Sequence, residues 1–235
     1  MGHYLIVDDN IEFAENIAEI LADDGHEVSV APSGQQALQL IRQKRFDVVL
    51  TDMRMPVMGG AQLVQQLREI DPGMPAIVIS AYVNDEEILQ TLRQGVLAVL
   101  PKPLPIPRLM QLLKSARRNG LLVVVESDRA AVEELRESLR ARGLTAVAAS
   151  SLLEAEGFRA LQPFAAVVDL LRGPGADSEA IRQAAARLAG IPLVAISGKD
   201  MILVAHADEL LRKPFSTDAL LGEIEYLYKE RSQNS

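Results

Sequence analysis

The run Tyr4-Leu5-Ile6-Val7-Asp8-Asp9 returns later in the chain as Leu122-Val123-Val124-Val125-Glu126-Ser127, and the segments after it return in the same order. Asp47-Val48-Val49-Leu50-Thr51-Asp52 answers to Phe164-Ala165-Ala166-Val167-Val168-Asp169. Pro75-Ala76-Ile77-Val78-Ile79-Ser80 answers to Pro192-Leu193-Val194-Ala195-Ile196-Ser197, and Lys102-Pro103 to Lys213-Pro214. Internal repetition on this scale leaves few folds open, because each half must close its own core on the same plan. Short apolar runs alternate with amphipathic stretches, such as the one carrying Ile11, Ala14, Ile17, Ala18 and Leu21 at helical spacing. Gly25 closes that helix and Gly143 closes its counterpart. The alternation predicts an α/β protein made of two consecutive doubly wound, flavodoxin-like (βα)5 units, each with a parallel five-stranded sheet. The boundary falls at Arg117-Arg118-Asn119-Gly120, after a helix with leucines at 109, 112 and 113, so the expected domains are residues 1–119 and 120–235.

Composition narrows the function classes. With 49% hydrophobic and 24% charged residues over 235 positions, the chain reads as globular. No apolar stretch is long enough for a bilayer and no signal peptide precedes the first strand, so the expectation is a cytoplasmic protein without membrane insertion. Cysteine is absent, which removes disulfides, thiolate nucleophiles and thiolate-bound zinc. The net charge of −8 is shared evenly by the halves, with no basic patch, so direct nucleic-acid binding is not expected. His3, His26 and His206 have no metal-ligand spacing and read as surface or packing residues.

Three strand-like runs in the first half end in charge: Asp8-Asp9, Asp52 and Lys102. A parallel sheet sets such ends along one rim, where ligands bind. Clustered carboxylates repel, and a divalent cation is the usual reason for keeping them.

The set Asp8-Asp9, Asp52, Ser80, Lys102-Pro103, with the loop Met55-Pro56-Val57-Met58-Gly59-Gly60, resembles the receiver domain of bacterial two-component response regulators. The resemblance covers residues 3–118 and implies that Asp52 accepts a phosphoryl group from a histidine kinase. By the same resemblance Asp9 and Asp52 bind Mg2+ directly, Asp8 acts through water, and the carbonyl of Arg54 adds a ligand. Lys102 and Ser80 would contact the phosphoryl group once it is present, and the Lys102–Pro103 bond would be cis. Turnover beyond self-phosphorylation and self-dephosphorylation is not implied. Ala81 is small enough to admit a phosphodonor. Arg54 and Tyr82 are large, and either hinder hydrolytic water or are ordinary surface residues. One departure is Val99, where receivers commonly carry Tyr or Phe three residues before the lysine; coupling from Ser80 to the outer face is expected to be altered.

The second half keeps Asp169, Ser197 and Lys213-Pro214 but carries Glu126-Ser127 for the acidic pair. Its loop after Asp169, Leu170-Leu171-Arg172-Gly173-Pro174-Gly175, lacks Met-Pro. The interval from Ser197 to Lys213 is six residues shorter than that from Ser80 to Lys102. A degenerate site formed by Glu126, Ser127, Asp169, Ser197 and Lys213 is therefore expected, on a receiver-like fold with weak phosphorylation or none.

The resulting expectation is a response regulator that signals to an unidentified downstream protein, with no DNA-binding output domain on the chain and homodimerisation left open. Two alternatives stand beside it: a phosphorylation-independent interaction scaffold, and the N-terminal tandem-receiver part of a larger regulator such as a diguanylate cyclase. A phosphatase with an aspartyl nucleophile is disfavoured, because such enzymes place an acid two residues after the nucleophile, where this chain has Arg54.

Overall fold

The protein is described from a computed structural model covering residues 1–81, 86–126, 128–169, 177–197 and 207–233. It divides into two compact units, Met1–Asn119 with Arg140–Leu144, and Gly120–Leu139 with Thr145–Ser235. Among the described residues, no helix is long and apolar enough to cross a membrane.

In the first half, β1 (His3–Val7), β2 (Glu27–Ala31), β3 (Val48–Asp52), β4 (Ala76–Ser80) and β5 (Ala98–Pro101) alternate with five helices. These are α1 (Ile11–Asp23), α2 (Gly34–Gln43), α3 (Gly60–Ile70), α4 (Glu86–Arg93) and α5 (Ile106–Ser115). The strands are all parallel, in the order β2-β1-β3-β4-β5. β3 and β4 are buried along their whole length, which is why they read as unbroken apolar runs rather than alternating ones. Leu5, Val7, Val49 and Val78 face a core completed by α2 and α3 through Leu38, Ile41, Leu63 and Leu67. Their neighbours Tyr4, Ile6, Leu50 and Ile77 face the other way, onto Ile17 and Leu21 of α1 and Leu109 and Leu112 of α5. This is the doubly wound arrangement, with period-two side-chain alternation feeding two cores.

Local signals set the ends of the helices. The Asn10 side chain accepts the amide of Phe13 to cap α1, and Ser33 accepts that of Gln36 to cap α2. Gly25 and Gly143 both adopt positive φ, 85° and 73°, just past α1 and its counterpart, a conformation that favours glycine. Asn119 also takes positive φ, 55°, at the expected boundary.

A buried charge ties α3 to the two loops beside it. Arg68 of α3 is 8% exposed and donates to the carbonyls of Gln94, Pro72, Met74 and Gly95 at 2.8, 3.2, 2.6 and 3.0 Å. Burial pulls the guanidinium down to about 10, partly offset by Asp71, which leaves it charged at neutral pH. Arg68→Met keeps the length of the side chain but removes every donor from these carbonyls. It should destabilise the protein by about 2 kcal/mol, read as a lower midpoint in urea unfolding; an unchanged midpoint would show that water replaces the guanidinium freely.

The second half repeats the plan. β6 (Leu121–Val125), β7 (Thr145–Ala149), β8 (Ala165–Asp169), β9 (Leu193–Ser197) and β10 (Glu209–Arg212) form a parallel sheet in the order β7-β6-β8-β9-β10. Among the described residues its helices are α6 (Arg129–Ala141), α7 (Leu152–Gly157) continued by a 3-10 turn (Phe158–Leu161), α8 (Asp177–Arg187) and α9 (Thr217–Gln233). Ala155 of α7, Ile181 and Ala184 of α8, and Leu188 just past its end cover one face of the sheet. The loop after Asp169 and most of the shortened interval after Ser197 lie outside the described residues, as do Tyr82, Ser127 and His206. His3 and His26 pack on aromatic rings, His3 on Phe46 and His26 on Tyr4, with centroids 5.1 and 4.8 Å apart.

Candidate functional site

In the first sheet the strand order reverses between β1 and β3, which opens a crevice at their carboxyl ends. Val7 pairs with Thr51, so the next residues along, Asp8 and Asp52, stand side by side at that crevice. Both carboxylates are sheltered, at 2% and 7% exposure, whereas Asp9 is exposed. Lys102 arrives from the end of β5, its amide donating to the carbonyl of Ser80 at 2.9 Å. Its Nζ lies 2.5 Å from Asp52 Oδ1 and 3.1 Å from Asp8 Oδ2, and 4.5 Å from the centre of the Phe13 ring beneath it. The Lys102–Pro103 peptide is cis.

The loop after β3 folds back on the strand. The Arg54 amide donates to Asp52 Oδ2 at 2.7 Å, and the Gly60 amide to the Met53 carbonyl at 2.8 Å. A Cβ on Gly60 would stand 2.4 Å from the Asp52 carbonyl oxygen, so only glycine permits this approach. Val57, at the tip, is held at φ 69°, an uncommon conformation for a β-branched residue. Ser80 is buried at the end of β4, while Ala81 and Arg54 are exposed. Val99 is half-buried and packs into the core shared with α2 and α3.

These contacts set the electrostatics. Burial pushes the Asp8 carboxyl above the ordinary carboxylate range, against the opposing hydrogen bonds from the Asn10 amide and Lys102. Burial alone would lower the Lys102 ammonium, but hydrogen bonds to Asp52 and Asp8, with their charges, outweigh it and hold it above the ordinary lysine value. Among the described residues, no three His, Cys, Asp or Glu side chains form a group that could hold a metal ion. The donor set nonetheless fits a hard cation that keeps most of its water: oxygens of two adjacent carboxylates already converge on one positive charge, the Lys102 ammonium.

The sequence placed Asp8, Asp52 and Lys102 correctly at one rim but did not show that lysine neutralises both acids. It also missed Phe13 and Asn10. Asn10 had a legible signal as a helix cap three residues before Phe13. Phe13 had none, since it is simply an apolar residue on an amphipathic helix.

The second half keeps parts of this geometry. Lys213 Nζ lies 2.5 Å from Asp169 Oδ2, its amide donates to the Ser197 carbonyl at 2.9 Å, and the Lys213–Pro214 peptide is cis. Ser197 is fully buried. Glu126 accepts the Asp128 amide at 2.7 Å, just as Asp8 accepts that of Asn10 at 2.9 Å. Asp128 takes the role of Asn10, accepting the Ala130 amide at 2.9 Å at the start of α6. It serves as a helix cap rather than as a replacement for the missing acid.

A family model described as the response regulator receiver domain matches residues 4–114. A response regulator receiver protein of Anaeromyxobacter sp. (strain Fw109-5) is 49% identical over 233 residues, covering 99% of this chain and 98% of its own, so the likeness runs through both halves. The transcriptional regulatory protein ZraR of Escherichia coli (strain K12) is 35% identical over 112 residues, 48% of this chain and 25% of that regulator. Among solved structures, the Francisella response regulator 1452 receiver domain is 30% identical, with a TM-score of 0.46, covering 48% of this chain and 94% of its own. The Vibrio cholerae chemotaxis protein CheY4 is also 30% identical with a TM-score of 0.46, covering 48% and 97%.

Proposed function

The chain belongs to the response regulator receiver family, and from that premise we propose that Asp52 accepts a phosphoryl group from a histidine kinase and that the signal leaves through protein contacts. The observation that carries this reading is the Lys102 ammonium set between Asp8 and Asp52 at the crevice where strand order reverses. A carboxylate held there is an oxygen nucleophile. Its oxygen forms the new bond to phosphorus as the bond to the donor's imidazole nitrogen breaks, and that nitrogen leaves with the electron pair. Lys102 can stay within reach of Asp52 and meet the new phosphoryl oxygens, while the Ser80 hydroxyl donates to another. Asp9 and Asp52, with Asp8 through water and the Arg54 carbonyl, would hold Mg2+, which when bound supplies positive charge for the transferring phosphoryl oxygens.

In the second half, Asp169 and Lys213 remain but Ser127 stands where a direct metal ligand is needed. That half is an interaction unit without a working phosphorylation site. Both halves are receiver-shaped sheets, so the partner is a downstream protein that reads their surfaces, and the chain works in the cytoplasm beside its kinase.

Val99 favours one competing reading, that of a scaffold indifferent to phosphorylation, because no aromatic ring stands there to swing inward. Beryllium trifluoride with Mg2+, which imitates an acyl phosphate, separates the two. Under our reading it should stabilise the protein by about 2.7 kcal/mol at a hundredfold excess over its Kd, seen as a rise in Tm that Asp52→Asn abolishes. No rise in the wild-type protein would leave the scaffold.

A further inference from the structure

Lys102 has a neighbour that none of the phosphorylation motifs includes. Besides Asp52 Oδ1 at 2.5 Å and Asp8 Oδ2 at 3.1 Å, its ammonium stands over the Phe13 ring, 4.5 Å from the centroid. That is well inside the ~6 Å within which a ring face attracts a cation. The ring is fixed from two directions. The Phe13 amide donates to Asn10 Oδ1 at 3.1 Å at the start of α1, and the Asn10 amide donates to Asp8 Oδ1 at 2.9 Å. Phe13 also packs, half-buried, against the core shared by α1 and α5. The contacts close a circuit, from Asp8 through Asn10 and Phe13 to Lys102 and back to Asp8.

We propose that Phe13 is a positioning residue for phosphoryl transfer, its ring face holding the Lys102 ammonium in place while that ammonium exchanges carboxylate oxygens for phosphoryl oxygens. The role rests on the reading that Asp52 takes the phosphoryl group. An ammonium has three N–H donors and no acceptor, and the carboxylates of Asp8 and Asp52 take hydrogen bonds from this one. A hydrogen bond is directional, so it has to be given up before its donor can turn to a new oxygen. Attraction to the ring asks for no particular N–H direction and survives the exchange. A third carboxylate in that place would compete with the phosphoryl group for the ammonium. An aliphatic side chain would cover the ammonium without attracting it. The aromatic face attracts the charge and leaves every N–H free to turn.

The test uses the full chain with Phe13 replaced by its 4-fluoro, 3,5-difluoro and 3,4,5-trifluoro analogues, which drain negative charge from the ring face stepwise and nearly keep its shape. Each protein is labelled with acetyl phosphate and Mg2+, and the rate is read by intact mass. The rate should fall stepwise, by about threefold at the trifluoro ring, with the thermal midpoint unchanged along the series. Phe13→Leu should lose about as much, and Phe13→Tyr should keep the wild-type rate. A rate independent of fluorination overturns the inference, because a ring that merely fills space would behave alike in every member. So does a leucine variant as fast as wild type, or a series whose rates fall only in step with its thermal midpoints. Wild-type protein that takes no label overturns the reading of Asp52 itself, a failure distinct from the others.

Discussion

Incubated with acetyl phosphate and Mg2+, the full chain should gain one phosphoryl group, which Asp52→Asn abolishes and Asp169→Asn leaves in place. The two aspartates make a matched comparison. Each ends the third strand of its sheet and each has a lysine Nζ at 2.5 Å. They differ in the pair that ends the first strand segment of each half: Asp8-Asp9 in the first, Glu126-Ser127 in the second. Phosphoryl transfer depends on where positive charge stands relative to the moving oxygens, so losing one hard ligand matters more to the reaction than to the fold. Intact-mass spectrometry reads the outcome directly. Label that survives Asp52→Asn would remove Asp52 from its role, and label lost on Asp169→Asn would make the second half a working receiver.

Much of this arrangement was legible before any coordinates. The strands were visible because β3 and β4 are buried on both faces and need apolar residues throughout, so Val48, Val49 and Leu50, or Ile77, Val78 and Ile79, leave little room for another reading. The parallel sheet followed from the alternation of apolar runs with amphipathic stretches, and its strand ends put Asp8, Asp9, Asp52 and Lys102 at one rim. What stayed hidden depends on contacts between residues far apart in the chain. Lys102 reaches Asp8 across 94 positions, and nothing in either segment says that one ammonium serves two acids before any phosphoryl group arrives. The sequence suggested three mutually repelling carboxylates; the structure has two of them neutralised internally and Asp9 exposed to solvent. Arg68 was equally silent, because an arginine on an amphipathic helix reads as surface until the loops that close over it are known.

Lys102→Met should destabilise the metal-free protein by about 3 kcal/mol and at the same time increase its response to Mg2+. The first effect follows from what the ammonium leaves behind. Asp8 is 2% exposed, and its carboxyl is already pushed upward by burial. Without Lys102 it would face Asp52 in a sheltered crevice with no other counter-charge acting on it among the described residues. Removing one partner from a buried ion pair is strongly destabilising, about 3–5 kcal/mol, and the partial exposure of Lys102 places this case at the lower end. Methionine retains an apolar stem of similar length, so lost packing adds little. The second effect has the opposite sign for the same reason. In the wild-type protein an added cation competes with an ammonium for the oxygens of Asp8 and Asp52; in the variant those oxygens are free to take it. Urea unfolding in chelator and in excess Mg2+ gives both numbers, and the gain in stability between the two conditions should be larger for Lys102→Met than for wild type. A variant that loses stability yet gains no more from Mg2+ than wild type would show that Lys102 organises the cation site instead of competing for it. A variant as stable as wild type in chelator would show that Asp8 simply takes up a proton when its counter-charge is removed.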